Sequence, residues 1–301
     1  MRRTFIKKEG MTLTTLARYL LGQERGNRLK TIEELAGECG TSVGLTQAAL
    51  KTLESAGAIR IERRGRNGSF LVDMDNKALL THLDISNVVC AMPLPYTRLY
   101  EGLASGLKAQ FEDIPFYYAH MRGADIRVEC LLNGVYDMAV VSRLAAESYL
   151  TQNGLHIALA LGPHTYVGEH KLICRKGEAD SVKRVGLDNR SADQKIMTEV
   201  YFAGRPVERV DLSYHESLPR IVKGDIDAVI WNVAAEAELT MLGLEAIALR
   251  EESPFLQATE AVILTRADDY PMQQLIRAVV DENALLAHQQ RVVNGEQEPS
   301  Y

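Results

Sequence analysis

Two groups of arginines occupy positions where their chemistry would be the binding of anions. The first group, Arg60, Arg63, Arg64 and Arg66, surrounds the turn between two short β-like runs. The second group follows apolar runs in the larger, C-terminal part of the chain and comprises Arg98, Arg122, Arg143 and Arg190. A planar guanidinium group binds a carboxylate or phosphate through two parallel hydrogen bonds. The sequence therefore predicts one extended anion-binding surface and one pocket for a small anion.

The charge of the chain is divided in the same way. Residues 1–75 contain 13 Lys and Arg against 9 Asp and Glu, a net charge of +4, whereas residues 76–301 contain 21 against 31, a net charge of −10. Net charge reports on partners rather than on fold. The first arginine group, with Arg2, Arg3, Lys7 and Lys8 of an N-terminal arm, can neutralise backbone phosphates. The alternative is that the arginine-rich hairpin is simply a solvated turn.

The segment from Leu29 to Val72 has the pattern of a helix, a sharp turn, a second helix and a hairpin. Thr31 and Glu34 form a capping box that begins the first helix, and Ser42 or Thr41 can cap the second. Two β-like runs follow, at 58–62 and 69–72, and the Asn-Gly pair between them favours a tight turn with positive φ. This outline is typical of a winged helix, whose second helix enters the major groove of DNA.

This segment resembles the winged helix of GntR-type bacterial transcription regulators. The matching residues are Glu34, Leu35, Ala36, Gly40, Ser42, Ala49, Leu50, Leu53, Gly57, Ile59, Gly65, Gly68, Phe70 and Val72. The resemblance implies DNA binding, but the chain has Val43 and Gln47 where that family usually has two DNA-facing arginines. The wing turn is also one residue longer than the usual one, so the readout of bases and phosphates must differ.

Other side chains must then supply the contacts with DNA. Gln47 can read adenine through two hydrogen bonds, and Thr46 can contact a phosphate or a thymine methyl group. The predicted DNA-binding residues are Thr41, Ser42, Thr46, Gln47, Arg60, Arg63, Arg64, Arg66 and Asn67. The missing arginines leave an alternative open, namely a ligand-binding module that has weakened or lost its DNA readout.

Strand-like and helical stretches alternate from Ser86 onward. Strands are expected at 87–92, 115–120, 136–141, 156–161, 171–174, 182–187, 207–212, 226–231, 244–249 and 260–264, and helices at 98–111, 124–133, 144–152, 191–203, 215–223, 233–242 and 271–291. The alternation predicts a mostly parallel sheet with helices on both faces. The unit that contains Gly134 and Asp137 recurs 90 residues later at Gly224 and Asp227. The repeat indicates two similar lobes, unless it is a coincidence of a common αβ unit.

This pattern resembles the type II periplasmic-binding-protein fold, in the form found in the effector domains of LysR-type regulators. The resemblance implies two α/β lobes that are joined by crossover strands near 163–180 and 253–264 and close over a small molecule. The expected fold class is therefore α/β, with a winged helix-turn-helix over 1–75, a linker over 76–85 and a two-lobe doubly wound α/β domain over 86–301. Lobe I would take about 86–165 and 260–295, and lobe II about 180–250.

A ligand of such a domain would bind beyond the carboxyl ends of the strands, where helix N-termini also favour anions. The predicted ligand-binding residues in the loops there are Tyr96, Thr97, Arg98, Arg122, Gly123, Ser142, Arg143, Asn189, Arg190, Ser191, Tyr214 and Asn232. Several of these have an ordinary structural alternative. The arginines can be solvated surface residues, and the serines can be plain helix caps.

The remaining patterns set limits on other functions. The chain contains no P-loop, GxGxxG, GxSxG or HExxH motif, so we expect no enzyme, cofactor or metal. A metal held by His164, Glu169 and His170, a dyad of His215 and Glu216, and a two-lobe enzyme are the alternatives. Four separated cysteines, the absence of a long apolar run and a start without an apolar leader favour a cytoplasmic protein. The sequence thus predicts a dimeric transcription regulator that binds operator DNA, senses a small anionic metabolite and contacts no membrane.

Overall fold

The computed structural model describes residues 8–83, 85, 87–111, 114–150, 154–213, 216–232, 236–250 and 252–301. Arg2, Arg3, Lys7, Tyr214 and His215, which the sequence analysis names, lie outside these residues. The chain forms two compact units. Among the described residues no helix is both long enough and apolar enough to cross a membrane.

The first unit begins as a helix-turn-helix with a wing. Its elements are α1 (Lys8–Leu21), α2 (Ile32–Cys39), α3 (Val43–Ser55), β1 (Ile59–Arg63), β2 (Ser69–Met74) and α4 (Asn76–Leu80). The capping box forms as predicted, since the N–H of Glu34 donates to Oγ1 of Thr31 at 3.3 Å and the N–H of Thr31 donates back to the Glu34 carboxylate at 2.7 Å. Ser42 caps α3 by accepting the N–H of Leu45. The capping of both helices is therefore confirmed.

The wing is an antiparallel hairpin of β1 and β2 whose turn differs from the expected one. Residues 65–67 form a 3₁₀ turn, and positive φ occurs at Gly65 (54°) and Gly68 (90°) rather than at Asn67. The prediction of a tight Asn-Gly turn was wrong because the connection has an extra residue, and a full 3₁₀ turn accommodates it between two glycines. Each of these glycines adopts a backbone conformation that other residues rarely adopt.

A further helix, α12 (Tyr270–Val279), belongs to this first unit although it lies far along the chain. The Nδ2 of Asn76, at the start of α4, donates to Oε1 of Gln274 on α12 at 2.9 Å. The sequence pattern predicts one terminal helix over 271–291. The structure has two instead, because Asp281 caps a new helix by accepting the N–H of Ala284.

Lobe I of the second unit is built on a five-stranded sheet. Its elements are β3 (Val88–Met92), α5 (Arg98–Gln110), β4 (Phe116–His120), α6 (Ala124–Leu132), β5 (Met138–Ser142), α7 (Arg143–Leu150), β6 (Leu155–Ala160), β12 (Ala261–Arg266) and α13 (Glu282–Val293). The strand order is β4-β3-β5-β12-β6, and β12 is antiparallel to both of its neighbours.

Lobe II has the same plan. Its elements are β7 (His170–Arg175), β8 (Arg184–Leu187), α8 (Ala192–Tyr201), β9 (Glu208–Asp211), α9 (Ser217–Lys223), β10 (Ala228–Asn232), α10 (Glu236–Met241), β11 (Leu244–Ala248) and α11 (Ser253–Gln257). The strand order is β11-β7-β10-β8-β9, with β7 antiparallel to its neighbours. The expected α/β fold is thus confirmed. In each sheet four of the five strands run in one direction, as expected of a mostly parallel sheet. The fifth strand, β12 in lobe I and β7 in lobe II, crosses between the lobes and runs against them.

The internal repeat has a common structural purpose in the two lobes. Gly134 and Gly224 both have positive φ at helix ends, 70° and 80°. Asp137 then accepts the backbone N–H of Val89 on β3 at 2.8 Å, and Asp227 accepts that of Arg184 on β8 at 2.8 Å. In each lobe the aspartate therefore ties the start of one strand to its parallel neighbour.

Candidate functional site

A cleft of about 480 Å³ lies between the two lobes of the second unit. Residues at the carboxyl ends of strands in both lobes line it, including Pro93 after β3, Met121 after β4, Asp188 after β8, Leu212 after β9 and Asn232 at the end of β10. Parallel strands end at one edge of a sheet, and this edge is where ligands bind in such folds. The topology therefore assembles the cleft from loops that are far apart in the sequence.

A buried arginine, Arg127, is the main charge on the lobe I side. Its residue is only 3% exposed, and it lines the cleft from α6. The guanidinium donates to the carbonyl oxygens of Val140 (3.0 Å) and Met121 (2.8 Å) and to the hydroxyl of Tyr166 (3.1 Å). None of the ion pairs found among the described residues involves it. Because guanidinium has five N–H donors, two remain for a ligand.

The helix that carries Arg127 begins at the cleft. Gly123, with φ of 87°, precedes α6 and contributes no side-chain cap. The first backbone N–H groups of a helix have no partner within the helix and carry partial positive charge. Asp125 in the first turn of α6 places a carboxylate beside Gly123 and opposes this partial charge, so Arg127 is the group on this wall that favours an anion.

The lobe II side carries the carboxylates of the cleft, namely Asp188, Asp193 and Asp211. Asp188 accepts the backbone N–H of Arg190 at 2.9 Å, and Asp211 accepts that of Asn189 at 3.2 Å. These bonds hold the loop before α8 in place. Arg190 extends from the same loop and is exposed.

Two contacts connect the lobes across the cleft. Nη2 of Arg122 in lobe I lies 3.3 Å from Oδ2 of Asp188 in lobe II. Oγ of Ser142, at the end of β5, donates to Oδ1 of Asp193 on α8 at 2.7 Å. Burial raises the pKa of Asp193 to about 6, although the Ser142 hydroxyl and the charge of Arg127 oppose this shift. The protonation of Asp193 therefore changes near neutral pH, at a contact between the lobes.

A neutral histidine completes the cleft at the start of β7. Burial lowers the pKa of His170 to about 4, so its ring is uncharged at neutral pH. Its Nδ1 atom is buried and has no hydrogen-bond partner among the residues that the structure describes. Such an atom is a candidate partner for a polar ligand, because buried polar atoms are normally satisfied.

Aromatic rings form the apolar part of the cleft. Tyr96, Tyr100 and Tyr166 line it, and the rings of Tyr100 and Tyr166 pack edge to face at 5.0 Å. Tyr96 is 65% exposed at the mouth. A few polar groups within an apolar wall are typical of a site for a small molecule.

Most of the predicted ligand-binding residues lie together in this cleft. They are Tyr96, Thr97, Arg122, Gly123, Asn189, Arg190, Ser191 and Asn232. Thr97 and Ser191 also cap α5 and α8. Tyr214 lies outside the described residues.

Three of the predicted ligand-binding residues do not line the cleft. Arg98 pairs with Glu101 at 3.3 Å, one turn further along its own helix. Arg143 is held by Glu147 and Glu260 at 3.0 and 3.1 Å. Ser142 is fully buried, where it caps α7 through the N–H of Ala145 and bonds Asp193. Nearby carboxylates bind these side chains. Glu101 and Glu147 stand at helical i,i+3 and i,i+4 spacing, which the sequence displays, whereas Glu260 and Asp193 lie far away along the chain.

Sequence reasoning missed Arg127, Tyr166, His170 and Asp193. A signal for Arg127 existed, since it lies at helical spacing with Ala124, Val128 and Leu131 on the apolar face of its helix. An arginine on such a face is rarely buried without a purpose. No comparable signal marks Asp193, because an acidic residue in the first turn of a helix is common.

The candidate nucleic-acid interface is formed by α3 and the wing. Gln47 is exposed on α3, and Arg60, Arg66 and Asn67 are exposed on the wing. Two wing arginines have partners, because Arg63 lies 2.6 Å from Glu54 and Arg64 lies 2.8 Å from Glu62 while stacking over Phe70. Arg28, which the sequence analysis did not select, lies beside Gly68 at the groove between α3 and the wing.

The prediction that Thr46 contacts DNA was wrong. Its residue is fully buried, and its hydroxyl lies 3.0 Å from that of Thr41 and donates to the carbonyl of Ser42 at 3.1 Å. Thr46 points into the unit because it lies at helical spacing with Ala49, Leu50 and Leu53, all buried. Thr41 and Ser42 thus act in the turn, where Ser42 is exposed and Thr41 is half-buried.

Comparisons with known proteins agree with this architecture. Residues 75–301 match the family described as the YhfZ C-terminal domain, and residues 24–71 match a helix-turn-helix domain family. Over 301 residues the chain is 84% identical to YhfZ of Escherichia coli (strain K12), with all of both chains covered. The crystal structure of YhfZ from Shigella flexneri is also 84% identical, covers 75% of this chain and 98% of that one, and gives a TM-score of 0.70.

A more distant neighbour shows how general the second fold is. The periplasmic aliphatic sulphonate binding protein SsuA of Escherichia coli gives a TM-score of 0.54 at 11% identity, covering 70% of this chain and 75% of that one. At this identity the likeness is one of fold. The chain therefore consists of a helix-turn-helix domain and a two-lobe domain of the type II periplasmic-binding-protein kind.

Proposed function

The chain belongs to the YhfZ family, and from that membership and the contents of its cleft we propose that it is a transcription regulator whose C-terminal domain senses a small anionic metabolite. The helix-turn-helix domain supports DNA as one partner, and the two-lobe fold supports a small molecule as the other. The neighbour SsuA binds aliphatic sulphonates by its name, which are anions, and this agrees with the proposal without establishing it.

The buried Arg127 carries the proposal of an anion. Its guanidinium is held by Val140, Met121 and Tyr166 through neutral oxygens, none of which compensates its charge. The carboxylate of Asp193 interacts with this charge electrostatically but makes no hydrogen bond to it among the described residues, so the charge is compensated only in part. A carboxylate, phosphate or sulfonate in the cleft would supply the missing charge and fill the two free N–H donors. Arg127 thus keeps two N–H donors that an anion in the cleft can use.

The DNA function rests on the exposed face of α3 and the wing. Gln47 is exposed and Arg28 lines the same groove, while Arg66 is exposed on the wing; neither arginine forms an ion pair among the described residues. We propose that two copies act together, because half-sites one helical turn apart require paired readers. Ligand binding would change the angle between the lobes, and it regulates DNA binding only if the two states differ in DNA affinity.

A thermal-shift screen tests the proposal of an anion. The full chain is titrated with phosphate, sulfate and a panel of small carboxylates, since a bound ligand stabilises the fold by mass action. We expect at least one anion to raise the melting temperature of the wild type but not that of Arg127→Met. Arg127→Lys keeps the charge without the planar fork and should bind weakly, which separates lost binding from lost folding.

The matched control is Arg143→Met, because Arg143 is an ion-paired arginine outside the cleft. It should respond to the anion as the wild type does. Arg122→Ala and Arg190→Ala should each weaken the response, since both side chains line the cleft. If no anion shifts the melting temperature, or if the Arg127 variants respond normally, the proposal of an anion is wrong.

A binding module without specific DNA readout remains the rival for the first unit. A gel-shift titration with the DNA upstream of its own gene, against random duplex, distinguishes the two. We expect a steep salt dependence and a specificity ratio of roughly 10³ or more. Equal affinity for both duplexes would favour the rival.

An enzyme of the two-lobe type is the second candidate, and one observation favours it. Asp193, with its pKa near 6, and the neutral His170 line the same cleft, as a general acid and base would. We propose binding rather than turnover because the Asp193 carboxylate already accepts the Ser142 hydroxyl across the lobes. Incubation with every stabilising compound, followed by mass spectrometry, should show unchanged ligand. A new product would favour the enzyme.

A further inference from the structure

We propose that the ligand is a small zwitterion, in which the anionic group binds Arg127 in lobe I and an ammonium group binds the aspartates of lobe II. This inference rests on the proposed function, because it adds a second charged group to the same anionic ligand. The two walls of the cleft carry charges of opposite sign, and these charges define the class of the ligand.

The division of charge between the walls is the first observation. Among the described residues, the lobe I lining contains Arg122 and Arg127 and no carboxylate, whereas the lobe II lining contains three aspartates and one arginine, Arg190. A purely anionic ligand would meet repulsion from the second wall. A ligand with charges of both signs complements both walls at once, and complementary charge gives specificity.

The aspartates keep their charge available for a ligand. Asp211 is exposed and bonds only a neutral backbone N–H, that of Asn189. Asp193 bonds the neutral hydroxyl of Ser142. Asp188 alone is paired with a cation, Arg122. Hydrogen bonds from neutral groups leave the negative charge in place. Among the described residues Asp211 therefore has no cation as a partner, and Asp193 has only the charge of Arg127, to which it makes no hydrogen bond.

Other groups that line the cleft also suit an ammonium group. His170 is neutral, and its unpartnered Nδ1 can accept an N–H. The faces of Tyr96, Tyr100 and Tyr166 attract cations through their π electrons. A hydroxyl group could also donate to the aspartates, but it would not neutralise them. An ammonium donor and a hydroxyl donor therefore differ in charge, and matched ligands that carry one or the other can distinguish them.

The cleft limits the size of the ligand. Its volume of about 480 Å³ fits a small molecule, and the walls come from two lobes that already touch at Arg122 and Asp188. The anion and the ammonium group must then lie a few bonds apart. Short amino acids of the carboxylate, sulfonate and phosphonate kinds meet this requirement.

Matched series of small compounds test the inference on the full chain by isothermal titration calorimetry. The sulfonates are taurine, isethionate and ethanesulfonate, which carry an ammonium, a hydroxyl and a methyl group at one end. The carboxylates are 4-aminobutyrate, 4-hydroxybutyrate and butyrate, and the phosphonates are 2-aminoethylphosphonate, 2-hydroxyethylphosphonate and ethylphosphonate. We expect one amino compound to bind at least about tenfold more tightly than both of its matched analogues, about 1.4 kcal/mol.

Substitutions then assign the effect to the lobe II wall. Asp193→Asn and Asp211→Asn should each reduce the preference for the amino compound over its methyl analogue by about tenfold, while affinity for the methyl analogue holds or rises. Asp180→Asn is the matched control, because Asp180 is an exposed aspartate of lobe II outside the cleft lining. It should leave the preference unchanged.

The outcomes separate this inference from the proposed function. If the hydroxyl or methyl compounds bind as tightly as the amino compound, the zwitterion is wrong and the anion sensor stands. If ethylamine or butylamine binds as tightly as the amino compound, the anion sensor itself is wrong. If no compound of the three series binds while phosphate, sulfate or a simple carboxylate still raises the melting temperature, the zwitterion is wrong and the anion sensor stands.

Discussion

Ser142 donates a hydrogen bond of 2.7 Å to Asp193 and thereby joins β5 of lobe I to α8 of lobe II. Ser142 is fully buried, and Asp193 lines the cleft. The bond places an acidic group with a pKa of about 6 at the contact between the lobes. The stability of the protein and the state of the cleft should therefore both depend on pH.

Asp193→Asn should stabilise the protein above pH 6 and leave it nearly unchanged at pH 4. Burial raises the pKa of Asp193 from 3.8 to about 6. A raised pKa in the folded state means that the carboxyl group favours folding below pH 3.8, and that this contribution is lost as pH rises through about 6. Asparagine keeps an oxygen that accepts from Ser142 but carries no charge. Urea unfolding across pH 4 to 8 should show this pattern.

The pH dependence of stability can be attributed to Asp193 only if the groups around it do not titrate in the same pH range. Arg127 and Ser142 favour its charged form, while Tyr149 and Tyr166 face it as neutral phenols with raised pKa values. The pKa values of both phenols are raised above the usual value of 10.0, so neither tyrosine titrates between pH 4 and 7. Asp180→Asn, at an exposed aspartate, is the control. An unchanged pH slope in Asp193→Asn would contradict the prediction.

Arg66→Gln should weaken DNA binding more than Arg64→Gln. Arg66 is exposed with no ion pair among the described residues, whereas Arg64 already pairs with Glu62 at 2.8 Å. Each lost phosphate contact lowers the salt dependence of binding by about 0.9 in log–log slope. Fluorescence anisotropy against KCl concentration should show this loss for Arg66→Gln.

Glu62→Gln gives the opposite test of the same ion pair. This substitution frees Arg64 and removes a negative charge from the wing, so the affinity for DNA should rise. Equal losses in Arg66→Gln and Arg64→Gln, with no gain in Glu62→Gln, would mean that the ion pair does not reduce phosphate binding.

The sequence predicted the fold better than it predicted the contacts within the site. Helix caps such as Thr31, and the repeat of Asp137 and Asp227, depend on local spacing, which a sequence displays. The rule that ligands bind beyond the carboxyl ends of parallel strands predicted which loops line the cleft. In contrast, the partners of Arg143, Glu147 and Glu260, come from its own helix and from a residue 117 positions later. The i,i+4 spacing of Arg143 and Glu147 is visible in the sequence, but only the folded chain shows the second partner, Glu260.

Gln47→Ala should reduce DNA specificity without loss of stability, and Thr46→Ala should do the reverse. Gln47 is exposed on α3, so truncation removes a base contact worth about 1–3 kcal/mol of discrimination. Thr46 is buried and bonds Thr41 and Ser42, so truncation leaves a cavity and unsatisfied groups in the turn. Denaturant unfolding and a specific-to-random affinity ratio measure the two effects. Comparable specificity losses in stably folded samples of both variants would restore Thr46 as a DNA contact.

Gly22→Ala should disturb the packing of α12 on the first unit and thereby weaken the response of DNA binding to ligand. A Cβ atom at residue 22 would lie 2.8 Å from Cδ2 of Tyr270, so the ring at the start of α12 must move. α12 directly follows β12, a strand of the lobe I sheet, and is therefore a covalent route from that sheet into the first unit. We expect a destabilisation of about 1–3 kcal/mol and a smaller ligand-induced change in DNA affinity.

Gly37→Ala is the matched control for Gly22→Ala. Gly37 lies within α2, and an added Cβ there would meet no atom within 4 Å. Alanine should stabilise this helix by about 0.5–1 kcal/mol and leave the response to ligand unchanged. The measurement is DNA affinity by anisotropy with and without a stabilising anion, at equal folded fraction. Because both substitutions add one methyl group to the same unit, a loss of response in Gly37→Ala, or a full response in Gly22→Ala, would exclude α12 as the route of coupling.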